Sequence, residues 1–190
     1  MNIKIKNRCP WTAGNEFNIK YHDEEWGVPV HDDRKLFEFL VLDAFQAGLT
    51  WLTILKKREN FRKAFDNFDP VKVSKYDEGK KLALMKDEGI IRNRLKIEAA
   101  VINAAKFIEV QKEFGSFDKY IWSFTGGKTI VNKWKNQKDV PAFTPESDAM
   151  SKDLKKRGFK FVGTTICYAF MQVAGMVNDH VVDCFRYEEL

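Results

Sequence analysis

An all-α fold follows from three features of the sequence. Apolar residues recur at spacings of three and four along most of the chain. Asp, Ser and Thr caps and glycine or proline stops punctuate those runs at helical lengths, and no segment shows the sustained alternation of a half-buried strand. With 190 residues, 44% of them hydrophobic and including 16 Phe and 5 Trp, the chain can bury one core of its own, since a domain takes roughly 150 residues. A disordered chain would carry fewer large apolar side chains. Nothing approaches the roughly 20 apolar residues of a membrane span, and the basic opening from Met1 to Arg8 lacks the apolar centre of a signal peptide, so a cytoplasmic address is expected. Lys and Arg, 32 in all, against 27 Asp and Glu leave a net charge of +5, which permits a polyanionic partner without demanding one. An odd count of 3 Cys in such a chain speaks against a disulfide framework and leaves metal binding or plain burial.

Asp32 and Asp33 can cap an amphipathic helix in which Leu36, Phe37, Leu40, Val41 and Ala44 recur until Gly48 interrupts it. Trp51, Ile54, Leu55, Phe61, Ala64 and Phe65 carry a second helix to its stop at Asp69-Pro70. Pro70 suits the first turn of a short helix, and Leu82, Leu84 and Met85 sit in another that Gly89 would end as a C-terminal glycine. The longest stripe, Ile97, Ala100, Val101, Ala104, Ala105 and Ile108, predicts a helix from Arg94 to Phe114. Ser116-Phe117 opens a short helix ending at Thr125-Gly126-Gly127, and residues 128–145 read as an irregular excursion with room for a small hairpin. Ser147 caps a helix from Asp148 to Arg157, Thr164 or Thr165 starts a buried helix reaching about Gly175, and a last helix is expected from Asn178-Asp179. No linker divides these elements, so residues 1–190 read as one unit.

Three constellations could carry chemistry. His180 and Cys184, four apart, would share one face of the last helix and reach one ion, and Cys9 and His22, flanking an aromatic loop, could complete a tetrahedral site; the plainer alternative is a buried Cys, a capping His and two surface residues. Gly89 to Arg94 lies between two helices, where a tight turn would free backbone N–H groups for a phosphate beside Arg92, Arg94 and Lys96; an ordinary helical corner reads the same way. Tyr21, Trp26 and Trp51, with Asp43 and Gln46, could line a pocket for a flat cationic heterocycle, or each could be core or surface. The run Lys152, Lys155, Lys156, Arg157 and Lys160 reads first as a solvated face.

Several dispersed blocks read together resemble the 3-methyladenine DNA glycosylase I family, base-excision repair enzymes of the helix-hairpin-helix superfamily. They are Arg8-Cys-Pro-Trp11, Tyr21-His-Asp-Glu-Glu-Trp-Gly-Val-Pro29, Gln46-Ala-Gly-Leu-Thr-Trp51, Gly89-Ile-Ile-Arg92, Lys155 through Cys167 and Val177-Asn-Asp-His-Val-Val182. The resemblance covers about Arg8 to Tyr187. It implies a monofunctional enzyme, acting as a monomer, that flips and hydrolytically removes 3-methyladenine from alkylated double-stranded DNA, with no membrane partner. It implies a helix-hairpin-helix at about 82–108 and one structural zinc on Cys9, His22, His180 and Cys184, joining residues 8–27 to 177–187. Gly48 and Leu49 would fill the space left by the flipped nucleotide, Trp51 would stack on the base with Tyr21 and Trp26 around it, and Gly89, Arg92, Arg94 and Lys96 would grip phosphates. The family's base-recognising carboxylate, usually Glu, falls on Asp43, and a pocket Tyr falls on Asn18. These departures bear on the lesion preferred. A glycosylase for another alkylated base and a zinc-stabilised DNA-binding protein without catalysis are the alternatives.

Overall fold

The computed structural model describes residues 6–190; residues 1–5 of the basic N-terminal stretch lie outside the described part. Helix α1 runs Glu16–Glu24, α2 Asp33–Gln46, α3 Trp51–Ala64, α4 Pro70–Val73, α5 Glu78–Lys86, α6 Arg94–Phe114, α7 Phe117–Trp122, α8 Pro145–Lys156 and α9 Thr164–Val173. Two residues of β1 (Ile130–Val131) pair in parallel with β2 (Val177–Asn178), Ile130 opposite Val177.

The all-α expectation holds, with α2 at the centre. Asp32 caps it by accepting from the Lys35 N–H at 2.8 Å, and every residue from Leu36 to Phe45 is buried. The helix is therefore enclosed on all sides rather than amphipathic, packed by α3, α6, α7 and α9. Phe37 meets Phe107 with ring centroids 5.1 Å apart, and Phe45 meets Phe61 at 4.8 Å. Each such ring contributes about 1.5–3 kcal/mol on burial, and this gives the abundant Phe its place.

Four elements depart from the sequence expectation. The aromatic loop between Cys9 and His22 contains α1, started by the Asn15 side chain, which accepts from the Phe17 and Asn18 N–H groups; a polar surface had masked its period. Helix α8 begins earlier than Ser147, because Thr144 and Ser147 cap one another reciprocally around Pro145. The excursion 128–145 forms a parallel pairing with β2 and no hairpin. No helix starts at Asn178-Asp179. Asn178 instead accepts the His180 N–H at 3.2 Å and donates to the Tyr187 carbonyl, while buried Asp179 accepts from Asn132, Trp134, Tyr168 and Gln172. Asp179, committed to distant partners, cannot cap a helix, and the Asn178 contact to His180 closes only a local turn.

Just after α9, Gly175 (φ +70) lies against residues 28–29, where a Cβ would come within 2.3 Å of the Val28 backbone. That close approach lets the Gly27 N–H reach the Gln172 carbonyl and the Val30 N–H reach that of Ala174, which holds the Trp26 segment against α9.

Candidate active site and metal cluster

A cavity of about 350 Å³ opens between α1, the α2–α3 corner and α9. Helical spacing delivers its side chains in pairs: Asn18 and Tyr21 from α1, and Asp43 and Gln46 from α2, each pair one turn apart. Trp51 enters at the first position of α3, whose cap is the Thr50 hydroxyl accepting the Thr53 N–H. Trp11, Trp26 and Gln137 come from connecting segments, and Gln172 from α9. Tyr21 and Trp51 stand 5.4 Å apart, and Trp11 and Trp26 meet edge to face at 5.1 Å. All the aromatic residues expected at the pocket are here, together with Asp43, Gln46 and Asn18.

Polar atoms on this wall are left open. Among the described residues, Trp11 Nε1, Trp51 Nε1, Asp43 Oδ2 and Gln137 Oε1 are buried with no hydrogen-bond partner, and all four residues line this cavity. Buried polar atoms are nearly always paired, so two donors and two acceptors left unpaired on residues that line one cavity mark it as a place for a polar ligand. Burial pushes the Asp43 carboxyl well above the ordinary carboxylate range, with the charge of Arg58 opposing. The wall is stiffened by Arg58, which donates from Nε to Glu38 at 2.6 Å and from both terminal nitrogens to Glu25 at 2.8 and 2.9 Å. Burial opposes ionisation of both carboxyls, yet Arg58 holds them below their usual range.

At the corner between α2 and α3, Gly48 (φ +78) turns the chain and Leu49 is 41% exposed. An apolar side chain presented on a tight turn beside a cavity has the form of a wedge. Residues 87–93 join α5 to α6. Arg92 and Arg94 point outward, with side chains 50% and 69% exposed, resting on Glu88 and Glu98. Two details correct the sequence reading. Gly89 is not a left-handed helix stop; its N–H donates to Asp87 at 2.7 Å, and a Cβ would meet Asp87 at 2.9 Å and Asn60 at 3.0 Å, so close packing requires it. Its amide is therefore not free for a phosphate. Lys96 is 6% exposed, and its ammonium donates to the Phe45 and Ala47 carbonyls at 2.8 and 2.5 Å. That cation caps the last turn of α2 from within and does not face a phosphate.

Cys9, His22, His180 and Cys184 converge with all four ligand atoms within 4.8 Å of one another, fully buried, although His180 and Cys184 lie on a turn and not on a helix face. Cys184 Sγ lies 3.3 Å from His22 Nε2 and 3.5 Å from His180 Nδ1, and Cys9 Sγ lies 3.6 Å from His180 Nδ1. A tetrahedron with metal–sulfur and metal–nitrogen bonds of ordinary length has edges of about 3.6 Å, so the spacing fits. The outward ring nitrogens are held as well: His22 Nδ1 at 2.8 Å from Asp23, which Arg8 grips, and His180 Nε2 at 3.1 Å from the Trp26 carbonyl. That last contact ties the cluster to the cavity wall.

Sequence reasoning missed Trp11, Gln137 and Gln172 as lining residues. Trp11 stood two positions from a candidate ligand and Gln172 continued the α9 period, but Gln137 lay in an excursion with no periodic signal. Residues 11–187 match the methyladenine glycosylase family. The chain is 50% identical over 180 residues to DNA-3-methyladenine glycosylase 1 of Escherichia coli (strain K12), spanning 95% of this chain and 96% of that one. A crystal structure of 3-methyladenine DNA glycosylase I superposes with a TM-score of 0.92 at 48% identity, covering 94% of this chain and 98% of the other. A variant of 3-methyladenine DNA glycosylase I in complex with 3-methyladenine gives 0.91 at 35% identity, covering 94% and 96%. Frame, cavity and sequence agree over nearly the whole length, and the chain belongs to the methyladenine glycosylase family.

Proposed function

We propose that the cavity receives a 3-methyladenine base flipped out of double-stranded DNA and that the chain hydrolyses its N-glycosidic bond, leaving an abasic site. The observation that carries this reading is the ring of partnerless donors and acceptors around an aromatic cavity, in a chain whose relatives are named for that base. Methylation at N3 makes the purine cationic while it is bound to deoxyribose. Water adds to C1′, the C1′–N9 bond breaks with its electron pair passing to the base, and a proton from the water is lost to solvent. The base departs as neutral 3-methyladenine, so no acid need protonate it. Trp51, with Tyr21 and Trp26 around it, supplies π faces to the cation, and Asp43, whose carboxyl burial raises in the chain alone, ionises against the bound cation and opposes its charge. Gln46 and Asn18 add amides at the rim. Unmodified adenine lacks the charge and is harder to unstack, which rejects it twice.

On this reading Leu49 and Gly48 occupy the space the base vacates, Arg92 and Arg94 exchange their glutamate partners for phosphates, and the hairpin around Gly89 supports that grip. Lys96 holds the wedge turn from behind. The protein works as a monomer in the cytoplasm, where its DNA lies; among the described residues no helix is long and apolar enough to cross a membrane. Cys9, His22, His180 and Cys184 hold one zinc, whose four N and S ligands leave no open position, so its contribution is structural. Chromatography of bases freed from methylated genomic DNA tests the function. Free 3-methyladenine is expected; its absence, with DNA still bound, would leave a binding protein.

A further inference from the structure

We infer that Gln137 is a specificity-determining residue of the pocket, recognising the amino edge of the adenine ring; this rests on the glycosylase reading above. Gln137 belongs to the excursion after α7, far in sequence from every other polar group of the cavity, yet its side-chain oxygen is buried at the cavity without a partner. The backbone carrying it is fixed. Asp139 accepts from the Asn136 side-chain amide at 2.8 Å and from the Asn136 backbone N–H at 3.1 Å, and the Val140 N–H returns to the Gln137 carbonyl. The excursion is anchored to the core through Trp134, whose indole N–H donates to Asp179 at 2.7 Å and whose carbonyl accepts the Val182 N–H. Asp179 also accepts from Gln172 on α9, another lining residue. An amide delivered on so rigid a support, with nothing in the protein to bond, is placed for the ligand.

The chemistry of that amide selects a base. Its carbonyl and NH2 lie side by side, and this pair matches the C6 amine of adenine together with the ring nitrogen beside it, an arrangement guanine lacks at C6. Guanine offers a carbonyl oxygen in place of the amine. As a carboxylate opposite a cationic base, Asp43 only accepts, and cannot alone supply both halves of this match. The amide adds the donor, and the base closes two of the open positions on the wall at once.

Single-turnover release of 3-methyladenine and of 3-methylguanine from the same methylated duplex, by the parent chain and by Gln137→Met, tests the assignment. The Met variant keeps the length and removes both polar atoms. Release of 3-methyladenine should fall about 10-fold while 3-methylguanine changes little, since one good bidentate pair discriminates by about that much. Binding of free 3-methyladenine, followed by tryptophan fluorescence, should weaken in parallel at an unchanged melting temperature. Equal loss for both bases, or an unaltered ratio between them, would overturn the assignment and leave the glycosylase reading in place. A parent chain that releases no 3-methyladenine would remove the glycosylase reading and this assignment with it.

Discussion

Asp43 illustrates how much a residue's environment adds to its identity. Its place on a helix one turn before Gln46 was readable from spacing, and its role from resemblance. Its complete burial with an open oxygen was not, because periodicity puts Asp43 beside Leu40 and Ala44 without saying which neighbours leave a gap. The raised carboxyl makes a stability statement. A carboxyl whose folded value lies above its unfolded value of about 3.9 stabilises the fold while protonated, and that contribution is lost as pH rises from the unfolded value through the folded one. Asp43→Asn removes the loss. The variant should therefore melt higher than the parent at neutral pH, with a gap that narrows toward acid pH. Relieving one unsatisfied buried group is worth about 1–3 kcal/mol, and each kcal/mol moves the midpoint by about 2–4 °C in a chain of this size. Calorimetry across the acid to neutral range checks the sign; a lower melting temperature for Asp43→Asn at neutral pH would place the carboxyl in a satisfied environment.

At the scale of elements, α2, α3, α6 and α9 were legible because long apolar periods and strong caps agree. Helix α1 and the excursion 128–145 were not, since one is a short polar helix and the other is held by single long-range hydrogen bonds that leave no period. Lys96 shows the same limit. Three cations near a turn looked equivalent in sequence, yet the first turn of α6 aims one of them, Lys96, inward at α2. The difference is measurable. Arg92→Ala and Arg94→Ala should each reduce the slope of log affinity against log salt by about 1 and weaken damaged and undamaged duplexes alike. Lys96→Met should leave that slope unaltered, but should lower the melting temperature, because the Phe45 and Ala47 carbonyls lose their donor at a cost of about 1–3 kcal/mol. A Lys96 variant with a reduced slope and full stability would restore the cation to the phosphate-binding set.

Across the whole molecule, the Cys and His cluster closes the chain on itself, joining residues 171 positions apart between Cys9 and His180. Two pairs of ligand-type residues were visible in the sequence. Their meeting was implied only by resemblance, since no local pattern encodes a contact over that separation. The cluster also supports the cavity: the Trp26 ring stands 4.6 Å from that of His180, and Trp11 stands 5.4 Å from His22. Metal analysis should find about one zinc per chain, and Cys184→Ser should lower both metal content and melting temperature far more than base release per folded molecule. Protein purified without chelator and free of zinc would remove the metal from the account.

On the proposed function, Asp43 selects a cationic base in this cavity. Single-turnover release of 3-methyladenine by Asp43→Asn beside the parent chain tests it most directly, because the exchange keeps shape and removes charge. A loss on the order of 10- to 100-fold is expected, as for one charge-assisted hydrogen bond of about 1.5–3 kcal/mol, with DNA affinity and zinc content unchanged. An Asp43→Asn enzyme as fast as the parent would contradict it and leave aromatic stacking as the sole means of selection.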